Sequence, residues 1–297
     1  MDGVKFEREH VGFKFDKRNI SSLIQRVEAS VYYSYIDHVM DNYSLRQKPV
    51  SAPYSVSNPD RETEGARLVV TLTPDEPWVF KIGADYKDDL HTLRASQGAS
   101  PPGYSGMARA KDLGFEHYGV FSEGIYSIDD LNRVVVGLRI DDHEATDYRL
   151  TIRNTASGSM LAPSRNPFGN YTREERLSSG FLRFEQDYTD VAGTWYAGLG
   201  YVERFPDFWE FMRATPIAGT TASVADARDF GSLQPEKNTQ LDVGTNWMLG
   251  DVSASVSGFY SKVDDYMLLR WWQVGTAAVA DVRNIDATLY GLEADAT

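Results

Sequence analysis

The chain has 297 residues, a net charge of −13 and no cysteine, which excludes disulfide frameworks and Cys-ligated zinc or iron–sulfur sites within it. The acidic balance argues against nucleic acid or an anionic membrane surface as a partner, because both attract basic proteins. No stretch is apolar enough for an 18-residue helical membrane span, and the first residues lack the basic and apolar regions of a signal peptide.

From end to end the sequence predicts paired β-segments whose length suits tilted membrane-spanning strands. The eleven predicted strands are residues 4–15, 22–38, 66–73, 78–93, 113–128, 133–144, 175–188, 194–204, 237–249, 252–263 and 282–294.

The predicted connections alternate between short and long. The short ones are residues 16–19, 74–77, 129–130, 190–193 and 250–251. The long ones are residues 41–64, 95–111, the stretch from 144 to 174, 206–235 and 267–281. An outer-membrane barrel combines tight periplasmic turns with longer extracellular loops. A soluble β-sandwich has no reason to lengthen every second loop, so the pattern favours a transmembrane barrel.

Side chains alternate within these strands between an apolar and a polar face. In the fourth predicted strand, Trp78, Phe80 and Ile82 alternate with Lys81 and Asp85, which is the period-2 pattern of a strand. Three tryptophans lie near strand ends, where an aromatic girdle would meet the lipid–water boundary: Trp78, Trp195 and Trp247. We therefore expect the apolar face to contact lipid and the polar face to line the barrel lumen.

The candidate site lies within residues 26–46. Alternation directs Tyr33 and Tyr35 toward lipid, and it directs His38 and Met40 together toward the lumen. An imidazole and a thioether two residues apart on one strand face form a half-site for a soft metal, copper above all. The alternative is that these two residues bind no metal and are simply a polar and a flexible apolar residue at a strand end, because His-x-Met is a short and common motif.

Other polar residues have simpler interpretations. Asp37 and Asp41 could hydrogen-bond to and orient the metal ligands, or they could be surface charges. Asp37 falls on the face opposite His38, which favours a surface charge. Four aspartate pairs are expected at strand ends and turns, where Asp is favoured for backbone reasons: residues 88–89, 129–130, 141–142 and 264–265. The remaining histidines are isolated in sequence and are expected to have no special role, although separate strands can converge inside a barrel: His10, His91, His117 and His143.

No phosphate-binding loop, nucleophile elbow or His-Glu-x-x-His motif occurs in the chain, so we expect no enzyme.

Three blocks resemble the TonB-dependent outer-membrane receptors: residues 203–210 (ERFPDFWE), 233–244 (LQPEKNTQLDVG) and 284–294 (NIDATLYGLEA). The segment 35–46 (YIDHVMDNYSLR) resembles the TonB-dependent copper receptors in particular. The resemblance implies that His38 and Met40 contribute copper ligands from an inward-facing strand, with copper as the transported substrate. It also implies the outer membrane of a Gram-negative cell as the location, with membrane lipid and the TonB complex as partners.

Such receptors have a 22-stranded barrel closed by an N-terminal plug. We expect residues 1–297 to form about half of that antiparallel barrel, without the plug, without the N-terminal region that contacts TonB, and with two unpaired edges. In the copper receptors the plug supplies a Cys and a Met as further ligands, and this chain has no Cys. It would therefore hold only the wall half of a copper site.

Two alternatives remain open from the sequence. A receptor for a siderophore or another metal chelate would bind its substrate through aromatic and Arg residues from several loops. A soluble β-sandwich would use Trp271 and Trp272 to bind carbohydrate.

Overall fold

The structure, a computed structural model, describes residues 1–74, 76–152, 164–213, 229–274 and 277–297. These residues form thirteen strands and one short helix, and no helix among them is long and apolar enough to cross a membrane. The strands are β1 Asp2–Arg18, β2 Ile24–Asp41, β3 Tyr54–Leu72, β4 Trp78–Gly98, β5 Ala110–Ser127, β6 Asn132–Asp147, β7 Thr151–Ile152, β8 Ser164–Arg165, β9 Tyr171–Asp187, β10 Ala192–Arg204, β11 Glu236–Leu249, β12 Val252–Val274 and β13 Ala277–Ala296. Helix α1 spans Phe208–Arg213.

Eleven of these strands form one antiparallel sheet in which every strand pairs with its neighbours in sequence. The two-residue strands β7 and β8 pair only with each other, inside the connection from β6 to β9. In the described part of the chain β1 and β13 are the two edges of the sheet, so the sheet is open. The predicted all-β fold, a partial barrel with eleven strands, is confirmed.

Short and long connections alternate as predicted from β1 to β12. Residues 19–23, 73–77, 128–131, 188–191 and 250–251 form the short connections, and residues 42–53, 99–109, 148–170 and 205–235 form the long ones. Trp78, Trp195 and Trp247 all lie close to short connections, so the predicted tryptophan belt occupies the short-turn end of the sheet.

Several strand predictions were too short at the long-loop end, most clearly those for β3 and for the pair β12 and β13. Strand β3 begins at Tyr54, where the sequence predicts a loop as far as residue 64. Strands β12 and β13 are joined only by residues 275–276, so the stretch 267–281, predicted as a connection, belongs to a long hairpin. Backbone pairing therefore continues well beyond the segments that alternate between apolar and polar residues.

The two faces of the sheet differ as predicted. On the outer face, apolar side chains line up across neighbouring strands, and Val120 and Leu138 are 57% and 62% exposed. The inner face is concave and surrounds a cavity of about 1080 Å³ lined by residues from β1 to β11, among them Arg26, Arg67 and Asp242. Exposed apolar groups on one face and charged groups in a concavity are the reverse of a water-soluble β-sheet protein.

Charged side chains on the inner face pair across strands. Lys81 Nζ lies 2.7 Å from Glu123 Oε1, and the Arg139 guanidinium donates to both carboxylate oxygens of Asp85 at 2.8 and 2.9 Å. Cross-strand glycines leave room for large inner side chains: a Cβ on Gly137 would lie 2.1 Å from the Phe181 ring. These charged side chains of the inner wall are therefore paired and not isolated.

The connection between β10 and β11 covers part of the inner face at the long-loop end. Its residues Phe205, Phe211 and Phe230 are buried in one hydrophobic cluster with side chains of five strands. Two of its aromatic rings stack on wall histidines: Phe205 on His143 at 5.1 Å and Phe208 on His91 at 3.9 Å between ring centroids. These contacts attach the connection to the wall.

Candidate metal site on the inner wall

His38 and Met40 lie near the long-loop end of β2, which pairs with β1 on one side and β3 on the other. His38 is opposite Phe6 of β1, and Met40 is opposite Gly3. Successive side chains alternate between faces, so His38 and Met40 share the face of Arg26, which lines the inner cavity. Both side chains are half-buried. The structure thus places the imidazole and the thioether on the same wall.

Gly3 gives the imidazole room beside Met40. The His38 ring meets the Phe6 ring edge-on, with 5.6 Å between centroids. Its Nε2 lies only 3.2 Å from the position that a Cβ on Gly3 would occupy. The His38 ring is therefore tilted along the sheet toward the level of Met40. Its Nε2 approaches Gly3, the residue of β1 that lies opposite Met40.

Two neighbouring predictions need correction. Asp37 is not a free surface charge: its side chain is 15% exposed and its carboxylate oxygens lie 2.9 Å from Lys5 Nζ and 3.0 Å from Arg109 Nη2. Tyr35 lies on the outer face, but its hydroxyl donates to Asp60 Oδ2 at 2.8 Å. Both residues belong to a polar network on the outer face, beyond its apolar segment. Arg109, in the connection 99–109, covers this network.

A second group of metal-ligating residue types lies on the inner wall. Potential ligand atoms of His117, Asp141 and His143 all fall within 4.8 Å of one another, and His117 Nε2 is 2.6 Å from Asp141 Oδ1. The two imidazoles, however, are stacked at 4.4 Å with an interplanar angle of 17°. Imidazole nitrogens bind a metal along the ring plane, so stacked rings do not direct both lone pairs at one ion.

Arg139 also occupies this group. Its guanidinium donates to both oxygens of Asp141 at 2.6 and 2.8 Å and lies 3.2 Å from His117 Nε2. A guanidinium carries a permanent positive charge and therefore competes directly with a bound cation. The group is better described as an ion-pair network than as a metal centre.

The chain matches the family model "TonB dependent receptor-like, beta-barrel" over residues 1–297. It belongs to the TonB-dependent receptors. No curated protein sequence matches the chain, but solved structures of this family do.

A structure titled "Copper transporter OprC" is 34% identical to this receptor chain, with a TM-score of 0.87. The match covers 99% of this chain and 45% of that one. The FrpB iron transporter from Neisseria meningitidis and the ferric citrate transporter FecA are 14% and 13% identical, with TM-scores of 0.64 and 0.65. Those matches cover 97% and 98% of this chain and 40% and 39% of theirs, and they show the fold alone.

Membership of the family settles the broader predictions. The receptor belongs to a family of transport proteins of the Gram-negative outer membrane, so its short connections are periplasmic turns and its long ones are extracellular loops. The chain spans less than half the length of each of these structural relatives. Because His38 and Met40 lie near the long-loop end of β2, they lie toward the extracellular end of the lumen.

The structure also revises the remaining candidate sites of the receptor. Three of the four aspartate pairs lie within strands and not at strand ends: residues 88–89 in β4, 141–142 in β6 and 264–265 in β12. Asp89 is 4% exposed and binds the Arg61 guanidinium on the inner wall. Trp271 is exposed and lies beside the Arg213 guanidinium at 5.1 Å. The side chain of Trp272, its partner in the carbohydrate-binding alternative, lies outside the described part of the structure.

Proposed function

We propose that this chain is the barrel portion of a longer TonB-dependent receptor, here called the complete receptor, that imports copper across the outer membrane. His38 and Met40 are the ligands that the barrel wall contributes, and copper is the transported substrate. The observation that carries the proposal is the shared inner-wall position of the two side chains, with the His38 ring leaning over Gly3 toward Met40.

The donor types favour copper over a harder cation. A thioether is a soft ligand that suits Cu(I), and imidazole binds copper well, whereas carboxylate and carbonyl oxygens suit magnesium or calcium. The chain is also 34% identical, over nearly its full length, to a structure whose title names a copper transporter. Both lines of support point to the same substrate.

Two side chains leave a copper ion with free coordination positions. Further soft ligands come from a plug domain within the barrel of the complete receptor. Movement of the plug, driven through the TonB complex by energy from the inner membrane, then separates the two halves of the site and releases copper to the periplasm. In this scheme the receptor binds and moves copper and catalyses no reaction.

Copper content measured by mass spectrometry tests the assignment. The complete receptor, purified in detergent and exposed to copper, should retain the metal, and a His38→Ala/Met40→Ala variant should lose most of it. A receptor for a ferric chelate, the alternative, would bind its substrate through loop aromatic and Arg residues and would be indifferent to these substitutions. Equal copper content in the two proteins would refute the copper site.

A further inference from the structure

The pairing between β2 and β3 is interrupted beside His38. The ladder pairs Asp37 with Asp60 and resumes with Met40 opposite Ser57, so the intervening register places His38 opposite Pro59. Proline has no backbone N–H and cannot donate the ladder bond that an antiparallel partner normally supplies to the His38 carbonyl. A carbonyl at a shielded position requires another donor.

The side chain of Asn58 supplies that donor. Its Nδ2 donates to the His38 carbonyl oxygen at 3.0 Å and to Asp37 Oδ1 at 2.5 Å. A side-chain amide nitrogen has two hydrogens, so both bonds are made together. Asn58 is fully buried, with 0% of its surface exposed, and its amide therefore has no competing bond to bulk water.

Two arginines fix the orientation of this amide. Asn58 Oδ1 accepts from Arg94 Nε at 2.7 Å and from Arg109 Nη2 at 3.0 Å. Arg109 also donates to the Asn58 carbonyl at 2.8 Å and pairs with Asp60 at 2.9 Å. The two donors and two acceptor sites of the amide are all used. An exchange of its O and N would break every one of these bonds, so Nδ2 must face His38.

We propose that Asn58 is a positioning residue of the copper site, which replaces the ladder bond lost at Pro59 and so fixes the backbone that carries the His38 imidazole. This inference rests on the proposed function. Arg109, the last residue of an extracellular loop, holds Asn58 in place from outside the barrel wall. The orientation of a lumenal ligand thus depends on a side chain and a loop on the opposite face of the sheet.

The proposal is tested by restoring the missing bond. In the complete receptor, Asn58→Ala leaves the His38 carbonyl without its donor and should weaken copper binding about tenfold, the usual effect of losing a group that orients a histidine ligand. In Asn58→Ala/Pro59→Ala, residue 59 regains an N–H opposite His38, so most of the affinity should return. Copper affinity is measured in detergent by competition with a chromophoric chelator.

Asn42→Ala is the matched control. Asn42 also makes two side-chain hydrogen bonds at the end of this hairpin, to Pro53 O at 3.0 Å and from Ser55 N at 2.9 Å, but none to His38. Its affinity for copper should equal that of the wild type. Where Asn58→Ala does not assemble, Asn58→Leu allows the same comparison, because a leucine side chain fills a similar volume and has no N–H.

The outcomes separate the two proposals. If the wild type binds no copper, or His38→Ala/Met40→Ala binds as well as the wild type, the proposed function fails. If those two proteins behave as expected but Asn58→Ala binds copper like the wild type, the positioning role alone is refuted. The positioning role is also refuted if adding Pro59→Ala does not restore the copper affinity of Asn58→Ala, because the backbone hydrogen bond to His38 would then not explain the loss.

Discussion

Gly3 controls the space available to the His38 imidazole. A methyl group added at Gly3 would lie 3.2 Å from Nε2, closer than ordinary contact, and the ring would have to turn away from Met40. We expect Gly3→Ala to weaken copper binding roughly tenfold, as for other changes that reorient a histidine ligand. Chelator competition on the complete receptor measures the effect.

The same strand provides a control. A Cβ on Gly12 would lie 3.4 Å from Nε2 of His10, so Gly12→Ala crowds a different imidazole on the same face of β1. Copper affinity should be unchanged in that variant. A comparable loss in both variants would mean that disturbance of β1, and not the His38 ring, explains the Gly3 result.

Single-residue geometry was predictable where alternation alone determines it. The shared face of His38 and Met40 follows from their spacing, because two residues along a strand return to the same side. The role of Asn58 could not be predicted, since it requires knowing that Pro59 lies opposite His38 in a neighbouring strand. Likewise, a turn centred on Asp129 and Asp130 would place His117 opposite Asp142, whereas the observed register places it opposite His143.

At the scale of elements, strand length beyond the membrane was the harder prediction. Residues 54–65 of β3 carry polar groups on both faces, because that part of the strand extends past the lipid and neither face needs to be apolar. The period-2 signal therefore disappears while backbone pairing continues to Tyr54. The short turns were predictable, because Asp and Gly residues at chain reversals have direct backbone reasons.

The turn between β5 and β6 shows how an aspartate stabilises a chain reversal through backbone hydrogen bonds, and this stabilisation depends on pH. Asp129 Oδ1 accepts hydrogen bonds from the N–H groups of Leu131 and Asn132 at 2.9 and 2.8 Å. The Leu131 N–H above all, with Asn132, holds the pKa of the Asp129 carboxyl below its usual range. Because this pKa is lowered in the folded state, the carboxylate stabilises the turn at pH values above its unfolded pKa of about 3.9. This contribution disappears as the pH falls through the folded pKa.

We therefore expect Asp129→Ala to unfold at a lower urea concentration than the wild type at neutral pH. This difference should shrink toward pH 2 as the wild-type carboxylate becomes protonated. Urea titrations at several pH values, on the complete receptor refolded in detergent, provide the measurement. Asp130→Ala removes the same charge one residue away. A similar pH-dependent difference in that variant would show that net charge, and not the hydrogen bonds of Asp129, is responsible.

For the whole molecule, the decisive property is the opposite polarity of the two faces. The inner wall holds paired charges around the lumen, while the outer face presents Leu199, Leu241 and Val243 side by side on adjacent strands. Each of these is half or more exposed. Water penalises such a surface and lipid does not, so the outer face of the sheet is suited to a bilayer and not to water.

This polarity predicts different costs for one substitution on the two faces of β11. Val243 is 50% exposed on the outer face. A lysine at this position would place its ammonium group in hydrocarbon, which costs about 2–4 kcal/mol near the middle of the bilayer. Gln240 lines the lumen, where its amide bonds Asp242 at 2.8 Å. A lysine there remains in water beside a carboxylate, so Gln240→Lys should change the free energy of unfolding little.

Reversible urea unfolding of the complete receptor in lipid vesicles, followed by tryptophan fluorescence, gives both free energies. Val243→Lys should be the less stable variant by roughly the cost of that buried ammonium, about 2–4 kcal/mol. The two variants carry the same new charged group three residues apart on one strand, so strand propensity and net charge largely cancel. Equal destabilisation by both would show that Val243 does not face lipid, and a greater loss from Gln240→Lys would reverse the assignment of the two faces.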